Sequence, residues 1–312
     1  MTLGIAAHGP QAGAAVRQAV IAAELLGRGE IGGFAVFAVM DAAGRVQHCA
    51  GQQGGVTALQ IPPAWLAATH AAVITSGPQR PEPLLQFLPG RDGVGLVTGH
   101  RLPNRPGAIH HEPLNQRTLA LLATGLHPQA AVEQVLAADP QADVGLIAIN
   151  TRGQIGCGNS ARVQQRGDTG MGVWHSTGGA QAGFAFLHNA IQAAPAVAEC
   201  VQSMLRAALD QTVPHARYQI LQLTDVIPVE PAAADAVYVD AQWRVEHVAS
   251  ADPFMAQAQQ NITLLPLCAP VWQAGRCVGH MATELFAQVA GGRATPAAAS
   301  IHNLALTRMT LR

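Results

Sequence analysis

VGLIAINTRGQIGC, residues 144–157, is the stretch whose reading decides the fold. An unbroken apolar run meets Asn150 to Gly153 and resumes with Gln154 and Ile155, the pattern of a strand, a tight Asx-and-glycine reversal and a returning strand. FAVFAVMDAAGRVQHC (34–49) and AVYVDAQWRVEHV (236–248) share the design, turning at Asp41 to Gly44 and at Asp240 to Trp243. The third turn is weaker, because Trp243 stands where the other two carry glycine.

Helical periodicity precedes each hairpin. Residues 12–27, 115–139 and 188–211 space their apolar side chains at three and four, with Gly27, Gly125 and Pro140 as stops and His127-Pro128 as a start. Helices alternating with antiparallel hairpins predict layered α and β elements and argue against a doubly wound parallel sheet. The hairpin spacing, near 100 residues, suggests a loose internal repeat. The residues after Thr2, LGIAA, read as a buried strand, and the alternation near residue 312 suits a last strand. Pro- and Gly-rich connectors at 77–93 and 101–113 could join subdomains, but the chain is read as a single domain over 1–312.

The totals exclude several chemistries. Of 312 residues 49% are hydrophobic and 12% charged, with a net charge of −1, so there is core enough for a globular fold and no electrostatic footprint for nucleic acid or an anionic membrane. A surface so poor in charge predicts a homo-oligomer. The sequence contains no lysine, and all 18 basic residues are arginine. Schiff-base, serine–lysine, phosphate-loop and kinase-type lysine chemistry are thereby excluded. Five cysteines without a CxxC pair, behind an opening MTLGIAAHGP with no signal-peptide pattern, predict a reduced, cytoplasmic setting.

Residues 157–183, CGNSARVQQRGDTGMGVWHSTGGAQAG, concentrate a thiol, hydroxyls, arginines, an aspartate, a histidine and seven glycines. They read either as a reaction site or as a glycine-rich crossover with solvated charges. Cys157 is more simply a small buried hydrophobe than a nucleophile. Thirteen histidines offer one tight cluster, His110-His111-Glu112, and no metal-ligand spacing, so neither metal nor cofactor is expected. There is no G-x-S-x-G. Thr2 offers another nucleophile: its small side chain is compatible with removal of the initiator methionine. The α-amine so exposed, with a pKa of about 7.7–8.0, could take the hydroxyl proton.

Two segments carry a resemblance. TLGIAAHGPQAG (2–13) resembles the opening of a family of bacterial proteins of the N-terminal nucleophile (Ntn) hydrolase superfamily, which begins with a threonine strand and a D-P-x-T-G-like turn. LNQRTLALLATGLHPQAAVEQVLAADPQADVGLIAINTRGQIGCGNSARV (114–163) is similar to that family's two helices, "AADP" end and hairpin. The same region resembles the isoaspartyl peptidase and glycosylasparaginase branch, whose G-R-V-G-D-S stretch corresponds to Arg166-Gly167-Asp168-Thr169. In that branch the nucleophilic threonine heads the central hairpin, where this chain has Asp143, and S-T-G-G lies upstream of the arginine, whereas here it is downstream, at Ser176 to Gly179.

The resemblance implies an α+β fold, a four-layer αββα sandwich with two antiparallel sheets and helices on the outer faces. It implies hydrolysis of a small linear, amino-acid-like amide by Thr2, with no cofactor. The loop would lie across the substrate cleft, with Gly156, Gly158 and Asn159 offering donors to an oxyanion and Ser160 near the chemistry. Arg166 would bind a carboxylate and Asp168 an amine, with His175 and Ser176 completing the pocket. Three alternatives stand beside it: an inactive relative binding an amino-acid-like ligand, a three-repeat ring-opening amidohydrolase, which needs the lysine this chain lacks, and a structural oligomer.

Overall fold

A computed structural model describes residues 1–108, 111–177, 181–210, 212–255, 260–297 and 303–310. The chain divides into two compact units, Met1–Pro214 and His215–Arg312. This corrects the single-domain expectation. The Pro- and Gly-rich connectors at 77–93 and 101–113 both fall inside the first unit, whereas the boundary comes in the inconspicuous segment after the last helix of that unit.

In the first unit, strands β1 (Thr2–His8), β2 (Phe34–Met40), β3 (Val46–Gln52), β4 (His70–Ser76), β9 (Thr169–His175) and β10 (Gly183–Asn189) form a sheet in the order β3-β2-β4-β1-β10-β9. Strands β5 (Gly90–Arg91), β6 (Gly95–Arg101), β7 (Val144–Asn150) and β8 (Ile155–Asn159) form a second, in chain order. Every neighbouring pair in both is antiparallel. Helices α1 (Ala12–Gly27) and α5 (Ala194–Leu209) pack on each other, α1 against β1 and β4 and α5 against β9 and β10. Helices α2 (Leu114–Ala123) and α3 (Pro128–Ala138) pack on β6 and β7, and α3 also covers β8; α4 (Ala161–Gln164) is a single turn.

The alternation of β1 explains how the two sheets meet. Thr2, Gly4, Ala6 and His8 point one way, and Ala6 joins Phe34, Ile74, Leu96, Ile147 and Leu187 in the core between the sheets. Each large side chain buried there contributes about 1.5–3 kcal/mol. Gly4 is required for the approach: a β-carbon at that position would stand 2.2 Å from the carbonyl oxygen of Gly99 on β6. On the other side of the four-stranded sheet, Val97 and Leu146 meet Leu119, Val132 and Val135 of α2 and α3.

The first two predicted hairpins are β2–β3 and β7–β8, and the helices over 12–27 and 115–139 form as expected. The predicted helix at 188–211 starts later, at Ala194, because residues through Asn189 stay in the sheet beside β1. Residues 157–183 are also not a loop: they comprise the end of β8, α4, β9 and the link to β10.

The second unit is built on a ten-stranded sheet, β11-β20-β17-β16-β13-β14-β12-β19-β18-β15. Its strands are β11 (Tyr218–Gln222), β12 (Ile227–Pro231), β13 (Ala236–Val239), β14 (Val245–Ser250), β15 (Gln260–Leu265), β16 (Pro270–Gln273), β17 (Arg276–Met281), β18 (Leu285–Ala290), β19 (Arg293–Pro296) and β20 (Leu304–Met309). The pairs β12–β14 and β13–β16 are parallel. Ile227, Val237, Val248, Leu264, Val271 and Leu285 contribute to its core. The third hairpin is β13–β14, so the three hairpins lie in three different sheets and are not equivalent repeats. Among the described residues no helix is long and apolar enough to cross a membrane.

Candidate functional site

The register places a polar group at the amino end of β1. Thr2 pairs with Ser76 of β4 on one side and with Asn189 of β10 on the other, and alternation sets all three on the face toward the second sheet. From that sheet His100 of β6 and Asn159 of β8 reach back. The Nδ1 of His100 is 3.3 Å from Asn189 Oδ1, and its Nε2 is 2.7 Å from Asn159 Oδ1. His100 is fully buried, and burial lowers its pKa. A neutral imidazole has one donor and one acceptor nitrogen, so one asparagine accepts from the ring while the other serves it by turning its amide.

Three arginines surround this end. Arg80 donates from Nη2 to Ser76 Oγ at 2.8 Å. Arg101, at φ 65° just after His100, pairs with Asp143 and donates to Asp143 Oδ2 at 2.9 Å. Arg166 grips Asp168 through both carboxylate oxygens, at 2.7 and 2.6 Å. The amino-terminal amine is held below its usual pKa, first by partial burial and then by the positive charges of Arg80 and Arg101, against the opposing carboxylates of Glu30 and Asp168.

The residues predicted from the 157–183 segment separate into two groups. Asn159 belongs to the Thr2 end. Arg166 and Asp168 precede Thr169, which pairs with Asn189, so they too lie toward that end, but they engage each other and are not presented as two open ligands. Ser160 is buried, accepts from Val163 N at 3.2 Å and donates to Ala142 O at 2.6 Å, which makes it the N-cap of α4. Cys157 packs on the inter-sheet core, and burial pushes its thiol up to about 11, far from a thiolate at neutral pH.

His175 and Ser176 belong elsewhere. His175 pairs with Gly183, which pairs with His8 at the opposite end of β1. Both line a cavity of about 310 Å³ with His8, His127, Arg152 and Gln154. The expectation that they complete the Thr2 pocket is corrected by the strand register, since six residue steps along β1 span about 20 Å. Gly178, Gly179 and His110 lie outside the described residues. Among the described residues no group of three or more His, Cys, Asp or Glu is placed to hold a metal ion.

The segment 2–218 matches the model of a domain of unknown function, DUF6963, which covers well over half of the chain. The chain belongs to that family. A second model, of a domain of unknown function, DUF7259, matches residues 226–300, inside the second compact unit. No curated protein matches the sequence. The DUF6963 match takes in both ends of β1, and so both polar groups described above. In this DUF6963 domain the sequence reading missed His100, Asn189, Arg80 and Arg101. The only signal available for the first two was their place on the inward face of alternating strands.

Proposed function

We propose that the chain hydrolyses a small linear, amino-acid-like amide, with Thr2 as an N-terminal nucleophile in a four-layer αββα sandwich of the Ntn-hydrolase type. The observation that carries this reading is the position of Thr2. It is the first residue of a strand interior to the six-stranded sheet, on the face toward the second sheet, flanked by Ser76 and Asn189. Helices pack on the outer side of each sheet, which supports the layer order.

The reading requires removal of Met1. The Thr2 amine, freed one residue along from the Met1 amine, takes the hydroxyl proton as Oγ1 attacks the amide carbonyl carbon. The amide N–H groups of Asn159 or Asn189, oriented through His100, stabilise the oxyanion. As the C–N bond breaks, the proton passes to the leaving amine, and water then cleaves the ester by the reverse path. Arg80, whose guanidinium bonds the neutral Ser76 hydroxyl and makes no carboxylate pair among the described residues, is the group for a substrate carboxylate.

The test is intact mass and N-terminal sequencing of the purified protein, followed by Thr2→Ala assayed on a panel of amides. We expect Thr2 at the amino terminus and a loss of roughly 10⁴-fold or more in kcat with an unchanged melting temperature. Full retention of Met1 in an active protein, or a Thr2→Ala variant with the parent's rate, would exclude the mechanism.

A further inference from the structure

We propose that the cavity at the carboxyl end of β1 binds a small anion through its carboxylate or phosphate oxygens, at a site separate from Thr2. The cavity, about 310 Å³, is bounded by β1, the β7–β8 turn, the start of α3 and the end of β9. That volume suits a metabolite of modest size. It lies about 20 Å along β1 from Thr2.

The inference rests first on the ionisable groups lining the cavity. These are Arg152 and three histidines, His8, His127 and His175, and no aspartate or glutamate is among the lining residues. A cationic ligand would find no counter-charge there. Arg152 makes no ion pair among the described residues, unlike Arg45, Arg101, Arg166, Arg206 and Arg244, each of which grips an aspartate. Its guanidinium fork is therefore open to a bidentate oxyanion.

The second observation is the state of the histidines. His8 is 8% exposed and lines the cavity, and its ring forms no hydrogen bond among the described residues. Its ring stacks on His70 at 6.3 Å, and His70 Nε2 is buried without a partner. Gly153, at φ 74°, makes room for the His8 ring: a β-carbon there would come within 2.6 Å of His8 Nδ1. His127 already accepts from Gln129 N through Nδ1, so a neutral ring carries its hydrogen on Nε2, available to donate.

The groups facing His8 are His70 from β4, His175 from β9 and Arg152 from the β7–β8 turn, all bases. Burial first, then His70 and His175, hold the His8 pKa down to about 4. An anion in the cavity would supply the missing counter-charge and favour protonation, so binding takes up protons and tightens as the pH falls.

The experiment is calorimetric titration of the full chain with succinate, inorganic phosphate and, as a neutral isostere, succinamide, at pH 6 and pH 8 and in two buffers of different ionisation enthalpy. We expect saturable binding of at least one anion, none of succinamide, about tenfold tighter binding at pH 6 than at pH 8, and net proton uptake. Arg152→Gln, an exposed change that leaves the core intact, should weaken binding at least tenfold. His8→Gln should remove most of the pH dependence. Thr2→Ala should bind like the parent, so failure of the amide hydrolysis leaves this result unaffected. Absence of saturable binding at pH 6, equal binding of succinamide, or an Arg152→Gln variant with parental affinity would overturn the proposal.

Discussion

The two ends of β1 present opposite solutions to burying polar groups on one strand face. At the Thr2 end the groups satisfy one another: His100 lies between Asn159 and Asn189, Arg101 pairs with Asp143, Arg166 with Asp168, and Arg80 bonds Ser76. At the His8 end, His8 and His70 stack, His70 Nε2 is buried without a hydrogen-bond partner, and the nearby charge is all of one sign. A satisfied network fixes geometry before a substrate arrives, which is what reaction at a single atom requires. An unsatisfied one holds free energy that a ligand of the right charge can release.

The comparison depends on β1 being a rigid frame common to both ends, and Gly4 tests that most severely. In Gly4→Ala the new methyl would fall 2.2 Å from Gly99 O and 2.8 Å from Gly99 C, backbone atoms with no rotamer to yield. The sheets must separate between the two ends, two residues from Thr2 and four from His8. We expect a loss of about 3 kcal/mol or more in urea denaturation. A cost below about 1 kcal/mol would show that close contact at this point does not hold the ends in register.

A second test separates the ends by pH. His8 titrates near 6.5 in the unfolded chain and about 4 in the folded one. Above pH 6.5 it is neutral in both states. Between 6.5 and 4 the unfolded state binds the proton and the folded state does not, so stability falls as pH falls, by about 3 kcal/mol, and levels below 4. His188, buried on β10 with both ring nitrogens unpartnered, is also lowered to about 4, by burial and then His100, and acts in the same direction. Glu24 opposes them. Burial raises its carboxyl to about 7, even though Thr75 and Val56 donate to it, so its contribution is full below 4.5 and is lost as pH rises through 7. The difference between parent and His8→Gln isolates one end: the variant should lose about 3 kcal/mol less between pH 6.5 and 4. Parallel stability curves for the two proteins would mean that His8 is not the strained base described.

How much of this could be read in the sequence follows from which physical constraints are local. The turns at Asp41 to Gly44 and Asn150 to Gly153 are specified by four residues each, and β2–β3 and β7–β8 form where those turns predict. The amphipathic spacing that defines α1, α2 and α3 is local as well. The start of α5 is not: residues 188–189 suit a helix by spacing, but pairing across the sheet with β1 overrides it. The site is less legible still. Asn159 stands at the end of a recognisable hairpin, whereas Asn189 meets it only through His100, 59 residues from one and 89 from the other. His175 and Ser176 were misplaced because nearness to Arg166 and Asp168 in sequence becomes distance along an extended strand. Ser160 shows a different effect, its hydroxyl accepting from Val163 N in the turn immediately after it.

Ser160 provides the finest discrimination at the Thr2 end, since it is the immediate neighbour of Asn159. In Ser160→Ala the N-cap of α4 loses its acceptor for Val163 N, and Ala142 O loses its 2.6 Å donor. The expected cost is about 1 kcal/mol, small because α4 is a single turn and Val163 itself stays buried. If the hydroxyl only caps, thermal denaturation should register that loss while amide turnover at a temperature well below the transition changes less than about twofold. A rate falling 100-fold with the melting temperature unmoved would instead place Ser160 beside the reacting atoms, and the boundary between what is satisfied structurally and what is reserved for chemistry would have to be redrawn through the end of β8.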